Sequence, residues 1–410
     1  MTESSPLFSP RLAALQRTLT GGDKAALELF WQEIEAEGTP LIETISGDDS
    51  HILATFLYRA SFAANPVEIV CALAGRGLIH EPMICLLGTS LWYKTYRVSP
   101  GLRTEYWFVA NGVAHPDRLN SRLLLFPPDE DALFDLDTAE SWFEIPPAEV
   151  DSWLEARGPG VLSGQVERTR LKSQVLGNER PLSIYTPARP DASSQPSSLL
   201  ILFDRWVYAH VLPTCAMLDQ LIAQGSIPPT LVVMVGHPNK DARLRELPCY
   251  PPFVDFLARE LLPWIRQRFQ VSFPPARTVA GGMSYGGVAA AYAGLRYPEL
   301  FGNVLAQSGS FSWKPEGQQE YEWVARQLAA SPRLPLRWYL SAGLLETPSR
   351  EGAKPNTLLA NRHLRDVLQA KGYPLHYREF NGGHDFVWQL PVLAEGLRVL
   401  LGPASREGCV

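Results

Sequence analysis

Long apolar runs are missing from this chain: no stretch reaches the roughly 18 uninterrupted apolar residues that a membrane-crossing helix needs, and Met1–Pro6 carries neither the basic nor the apolar region of a signal peptide. The expectation is a cytoplasmic protein that is not exported and has no membrane partner. Cysteine is scarce. The five cysteines (Cys71, Cys85, Cys215, Cys249 and Cys409) are odd in number and show no C-x-x-C spacing, which disfavours a disulfide framework and a zinc site alike and fits a reducing compartment. Positive charge is also in deficit: 37 Lys and Arg against 43 Asp and Glu leave a net charge of -6. No basic stripe marks a nucleic-acid binder and no polybasic patch marks a membrane surface, so an anionic ligand must be met by local cations. No segment repeats.

What is present is a globular composition, 46% hydrophobic and 20% charged over 410 residues, enough for two or three domains. From Ser9 to about Gly38, apolar residues recur at three and four (Leu12, Leu15, Leu19; Ala26, Leu27, Phe30, Trp31, Ile34), which predicts two helices broken at Gly21-Gly22. Residues 41–126 change to short alternating runs, Ile52–Tyr58, Val67–Ala72, Trp92–Val98 and Glu105–Val109, the pattern of a small antiparallel sandwich. An acidic, Pro-rich stretch ending in Ala156-Arg-Gly-Pro-Gly160 places a domain boundary near residue 160. The expected division is therefore 1–40 helical, 41–155 sandwich and 160–410 catalytic.

Beyond that boundary strand and helix patterns alternate, implying an α/β fold. Eight strands are expected, at Val166–Leu176, Arg180–Tyr185, Leu199–Phe203, Leu231–Gly236, Arg277–Ala280, Val304–Ser308, Leu336–Ala342 and Leu375–Phe380. The first two read as a hairpin through Gly177-Asn178 and the rest as a parallel sheet. Helical patterns include Leu212–Ala223, Phe253–Phe269, Val288–Leu295, Asn356–Lys371 and Leu393–Leu401, and Pro187–Ser198 reads as a surface loop.

The fifth strand runs into Gly282-Met-Ser284-Tyr-Gly286, the G-x-S-x-G pattern of a tight strand-to-helix turn that lifts a nucleophilic hydroxyl out of a sheet. A serine needs a base. Of eight histidines, His384 stands after the last strand, in Asn381-Gly-Gly-His384-Asp385 and before the final helix, where this architecture places its base; His210 and His237 follow strands and could flank a substrate. The acid that orients the base is expected in the loop after the penultimate strand, which offers Glu346, with Asp385 and Asp366 as alternatives and a Ser-His dyad as another. The oxyanion requires N–H donors: the backbone of Tyr285 is one, and Arg205 or Trp206, after the third strand, supplies the second. Asp204 reads equally as a structural turn acid. Arg243 and Arg245 lie on the ligand-binding side of the sheet and either grip an anionic or polyphenolic substrate or form a solvated face; Trp313 either walls the site or packs in the core.

Several further runs carry a resemblance: Leu176-Gly-Asn-Glu-Arg180, Arg245-Glu-Leu247, Gly281–Gly287, Ala291–Pro298, Phe301–Ser310 and Gly382-Gly-His384-Asp385, with Leu87-Gly-Thr-Ser-Leu-Trp92 ahead of Arg103 and Tyr106. Over most of its length the chain resembles the enterochelin esterases of the esterase-D-like group. The resemblance implies an α/β-hydrolase fold, a mostly parallel sheet flanked by helices, preceded by a small Ig-like β-sandwich with N-terminal helices. It implies a cytoplasmic serine esterase that opens the ester (trilactone) backbone of a catecholate siderophore such as ferric enterobactin through an acyl-enzyme. No cofactor is expected, iron arriving only as part of the substrate. Two departures from the family pattern stand out: Asp204-Arg205-Trp206 replaces Asp-Gly after the third strand, and Asp117-Arg-Leu119-Asn120 keeps its Asp-Pro-Leu-Asn-Pro run only in part. The alternative reading is a feruloyl or acetyl-xylan esterase of the same fold; a non-catalytic siderophore-binding protein is a third.

Overall fold

A computed structural model of the chain describes residues 9–60, 66–74, 79–132, 138–146, 162–188, 195–347 and 356–403. The boundary expected near residue 160, the middle of the Pro187–Ser198 loop and Cys409 lie outside the described residues. These residues divide into two compact units. One holds the chain up to Leu125, the stretch from Thr138 and the loop Asn381–Val387; the other holds the stretch from Phe126, the long run ending at Phe380, and the chain from Trp388. Stretches of the two units therefore alternate along the chain.

In the first unit, Ser9 caps α1 (Pro10–Thr20) by accepting the Leu12 N–H, and Gly38, at φ 84°, ends α2 (Ala26–Glu37). Their apolar stripes, Leu12, Leu15, Phe30, Trp31 and Ile34, pack with Leu41, Leu57, Leu91 and Tyr93. Ten strands follow among the described residues: β1 (Leu41–Ile45), β2 (Asp48–Arg59), β3 (Glu68–Cys71), β4 (Ile79–Pro82), β5 (Ile84–Cys85), β6 (Leu91–Val98), β7 (Arg103–Ala110), β8 (Val113–His115), β9 (Leu123–Phe126) and β10 (Thr138–Glu144). They form two sheets, β1-β2-β6-β5 and β4-β3-β7-β10-β9, with β8 on β7. Phe56 of β2 meets Tyr106 of β7 and Phe143 of β10 edge to face, with centroids 4.6 and 5.3 Å apart, so aromatics from the two sheets interlock.

The second unit is built on one sheet: β11 (Gln165–Ser173), β12 (Asn178–Thr186), β13 (Ser198–Phe203), β14 (Thr230–Val235), β15 (Thr278–Met283), β16 (Asn303–Gln307), β17 (Arg337–Gly343) and β18 (Leu375–Phe380), in the order β11-β12-β14-β13-β15-β16-β17-β18. β11 and β12 are the expected hairpin, β12 joins β14 antiparallel, and from β14 to β18 every ladder is parallel. The central strands β13 to β16 are buried at every position, as β-branched and aliphatic runs covered on both faces must be. Edge strand β11 instead exposes Glu167, Arg168 and Arg170, charges that discourage edge-to-edge pairing. Helices α3 (Thr214–Ala223), α4 (Lys240–Glu246), α5 (Pro251–Phe256), α6 (Leu262–Phe269), α7 (Tyr285–Arg296), α8 (Trp323–Ala330) and α9 (Thr357–Ala370) connect the strands and α10 (Gln389–Leu401) follows the last of them, with π-helical turns at Val207–Val211 and Leu257–Leu261. α4 and α8 were not among the helical patterns named from sequence.

Candidate active site

β15 lies between β13 and β16, and its last residues bring the chain to Ser284 at φ 56°, ψ -120°. A non-glycine residue resists this backbone region, at a cost of about 1–3 kcal/mol, unless its surroundings hold it there. Here they do: the Ser284 N–H donates to Gln307 O (2.9 Å), and its carbonyl accepts from Gly287 (3.1 Å) and Ser310 (3.0 Å). Gly282 permits the turn, since a Cβ there would sit 2.8 Å from the Gly286 carbonyl carbon. Ser284 is partly exposed and its Oγ lies 3.0 Å from Ser310 Oγ. Tyr285 opens α7, so its N–H is among the first-turn donors with no intrahelical acceptor, at the positive end of the helix dipole.

Beyond β16 the chain makes a second unusual turn, Ser308 at φ 46°. Ser308 N–H donates to Ser341 O, its hydroxyl donates to Glu346 Oε1, and Asn361 Nδ2 donates to Gly309 O at 2.8 Å. Glu346 is buried, 3% exposed, and also accepts the Gly343 N–H at 3.0 Å. Its loop thereby braces the turn that delivers Ser310 to Ser284. Asp366, an alternative acid, is exposed on α9 and bonded to its neighbour Arg365 at 2.8 Å. Trp313 is half-buried, edge to face with Trp323 at 6.0 Å.

At the end of β13, Asp204 takes φ 65° and receives a forked pair of bonds from Arg243, Nε to Oδ1 at 2.6 Å and Nη2 to Oδ2 at 2.8 Å. The partnership ties α4 to the turn from which the second oxyanion donor was expected. Burial opposes the Arg243 charge, but Asp204 outweighs it and raises the guanidinium's pKa. Two of Arg243's donors are thus committed inside the protein, whereas Arg245 is exposed and touches only Glu246 at 2.9 Å among the hydrogen bonds described. The Arg205 side chain is buried, bonded to Asp129 and Asp131 and 3.3 Å from His210 Nε2, and the Trp206 indole donates to Pro127 O at 2.7 Å. Any oxyanion donor from this pair is a backbone N–H. His237 is buried against Arg180 and Glu246, which form a fully enclosed ion pair, and burial depresses its pKa.

His384 sits in Asn381–Val387, which groups with the first unit, whereas Ser284, Tyr285, Glu346, Arg205, Trp206, Arg243, Arg245 and Trp313 all belong to the second. The loop leaves β18 and returns to α10 through a closed neck, because Phe380 and Trp388 stack at 5.2 Å. Asp385 is 1% exposed and accepts from Thr104 Oγ1 at 2.8 Å. Sequence reading did not anticipate Ser310, the Asp204–Arg243 pair, or Thr104 and Glu105 of β7, all joined to their partners across long stretches of chain.

A largely parallel sheet with a serine held in a left-handed turn between strand and helix defines an α/β-hydrolase-like esterase fold. The chain belongs to the family described as "Putative esterase", whose model matches residues 173–400, and is a carboxylic-ester hydrolase. It is 29% identical to the iron(III) enterobactin esterase of Dickeya dadantii, covering 94% of this chain and 95% of that one, and 30% identical to the iron(III) enterobactin esterase of Escherichia coli K12, covering 80% and 83%. It is also similar to the crystal structure of the Shigella flexneri enterobactin esterase in the presence of enterobactin, with a TM-score of 0.74 and 26% identity over 91% of this chain and 97% of that one.

Proposed function

We propose that this chain is a serine esterase that hydrolyses the trilactone backbone of a catecholate siderophore such as ferric enterobactin, in the cytoplasm, through an acyl-enzyme on Ser284. The observation that carries the chemistry is the backbone of Ser284, held at φ 56° between β15 and α7. The substrate class is supported by relatives alike over nearly the full length of both chains. In this reading the two N-terminal sheets form the β-sandwich that accompanies such hydrolases, and the unpaired Cys71, Cys85, Cys215 and Cys249 suit a reducing compartment.

Ser284 Oγ attacks an ester carbonyl while the His384 imidazole takes its proton. The oxyanion of the tetrahedral intermediate accepts from the Tyr285 N–H and from the backbone of Arg205 or Trp206. Collapse breaks the bond to the leaving alkoxide, which His384 protonates. A water, deprotonated by His384, then attacks the acyl-enzyme, releasing a carboxylic acid and restoring Ser284. Glu346 orients His384 in this scheme. Arg243 and Arg245 meet catecholate oxygens, and Trp313 walls the site; the Asp204 pairing makes Arg245 the better exposed of the two. No cofactor enters, iron being part of the substrate.

The test is hydrolysis of the catecholate trilactone followed by chromatography and mass spectrometry. Ser284→Ala should lower kcat at least about 10³-fold and abolish labelling by a fluorophosphonate. Turnover of the trilactone by this variant at the parent rate would sink the proposal, and preferential turnover of a feruloylated sugar would favour a carbohydrate esterase.

A further inference from the structure

Within the first unit, β3 pairs with β7 only from Tyr106 to Val109. Arg103 to Glu105 extend past it, and the loop carrying His384 occupies that free edge: the Arg103 N–H donates to Asn381 O at 3.0 Å, and Asn381 Nδ2 donates to Ser99 Oγ and Pro100 O at 3.0 and 3.1 Å. At the other end of the loop, Glu105 Oε1 accepts two consecutive backbone N–H groups, Phe386 at 2.7 Å and Val387 at 3.0 Å, while Thr104 Oγ1 donates to Asp385. Gly383 lies so close to Ala72 that a Cβ on it would come within 2.5 Å of the alanine Cβ. The loop is therefore tied to β7 and the residues around it on both sides of His384, at Asn381 before it and at Asp385, Phe386 and Val387 after it.

We propose that Glu105 is a positioning residue for this esterase, fixing through its two backbone bonds the turn in which His384 sits. The inference rests on His384 being the base. The surroundings of Glu105 favour its neutral acid form. Glu105 is 2% exposed, and burial together with the charges of Asp385 and Glu140, the titratable groups facing it, favours its protonated form; it shares a hydrogen bond with Glu140. The protonated group has one carbonyl oxygen for the two N–H donors and one hydroxyl for Glu140. Glutamine reproduces that pattern, with an amide oxygen accepting and an amide N–H donating.

Steady-state hydrolysis of 4-nitrophenyl butyrate, which does not depend on the natural substrate, tests this. Glu105→Ala should lower kcat roughly 10- to 100-fold with KM nearly unchanged, since displacing a catalytic group by an ångström costs about that much. It should also shift the limb of the kcat/KM pH profile that reports the base, which a merely stabilising residue would leave in place. Glu105→Gln should keep kcat within about twofold. Should Glu105→Ala fail to fold, Thr104→Val reads the neighbouring bond and should lower kcat severalfold. Parent-like kcat and pH profile in folded Glu105→Ala, or in Thr104→Val, would overturn the inference, as would Glu105→Gln falling as far as Glu105→Ala. His384→Ala separates the premises: if it is inactive while Glu105→Ala is not impaired, only the positioning role fails, and if it is active, the base assignment fails and the positioning role with it.

Discussion

The G-x-S-x-G pattern asks for glycine at two positions, but the two glycines differ in what they must avoid. A Cβ on Gly282 would lie 2.8–2.9 Å from the Gly286 backbone, closer than side chains tolerate, whereas a Cβ on Gly286 would meet nothing nearer than 3.5 Å. Backbone cannot yield as a flexible side-chain tip can. Gly282→Ala should therefore distort the Ser284 turn and lower kcat by about two orders of magnitude, while Gly286→Ala stays near the parent. Ester hydrolysis and fluorophosphonate labelling of both variants check this, and equal damage from both would contradict the steric argument. Ser284 was legible because its constraint is local, written in adjacent glycines. The Asp204–Arg243 fork, 39 positions apart, and the Glu105–Phe386 bond, 281 apart, leave no such trace, since each partner alone looks like a turn acid, a surface arginine or a strand residue. For Arg243 the consequence is concrete: a residue read either as gripping substrate or as part of a solvated face spends two donors on Asp204.

Legibility of the elements followed length and burial. All eight strands of the second unit were readable because β-branched and aliphatic runs between turn formers mark buried strands, and their bounds in the structure differ from expectation by a few residues at most. α4 escaped notice because Lys240–Glu246 is seven residues long and mostly charged, which looks like a solvated loop. Its start was nevertheless marked: Asn239 accepts the Ala242 N–H through Oδ1 at 2.8 Å, a side-chain cap just after a strand. That cap sets the helix from which Arg243 reaches Asp204. Asn239→Ala should destabilise the fold by about 1 kcal/mol, read as a lowered denaturation midpoint at unchanged m-value. Because the helix end frays, kcat should fall as well; a variant with parent stability would mean that α4 is held by the Asp204–Arg243 pair alone.

At the scale of the whole chain, burial favours the neutral form of bases and acids alike, and so shifts their titration in opposite directions. In the second unit, burial keeps His237 neutral, its pKa below the ordinary 6.5, so stability there is lost as pH falls through the range where the unfolded chain takes up that proton. In the first unit, burial, with Asp385 adding negative charge, raises Glu140 to about 7 from an ordinary 4.5. A carboxyl whose folded pKa is raised stabilises fully below the unfolded value, and that stability declines between about pH 4.5 and pH 7 as the unfolded chain releases a proton the folded chain retains. Glutamine at position 140 would resemble the protonated form at every pH. Glu140→Gln should therefore match the parent near pH 4.5 and be the more stable near pH 8.5, by an amount on the order of 3 kcal/mol for a shift of this size. Urea denaturation of both proteins across that range measures the difference, in which the contributions of His237 and the other shared groups cancel. Parallel stability curves would show that Glu140 titrates in the fold as it does in water.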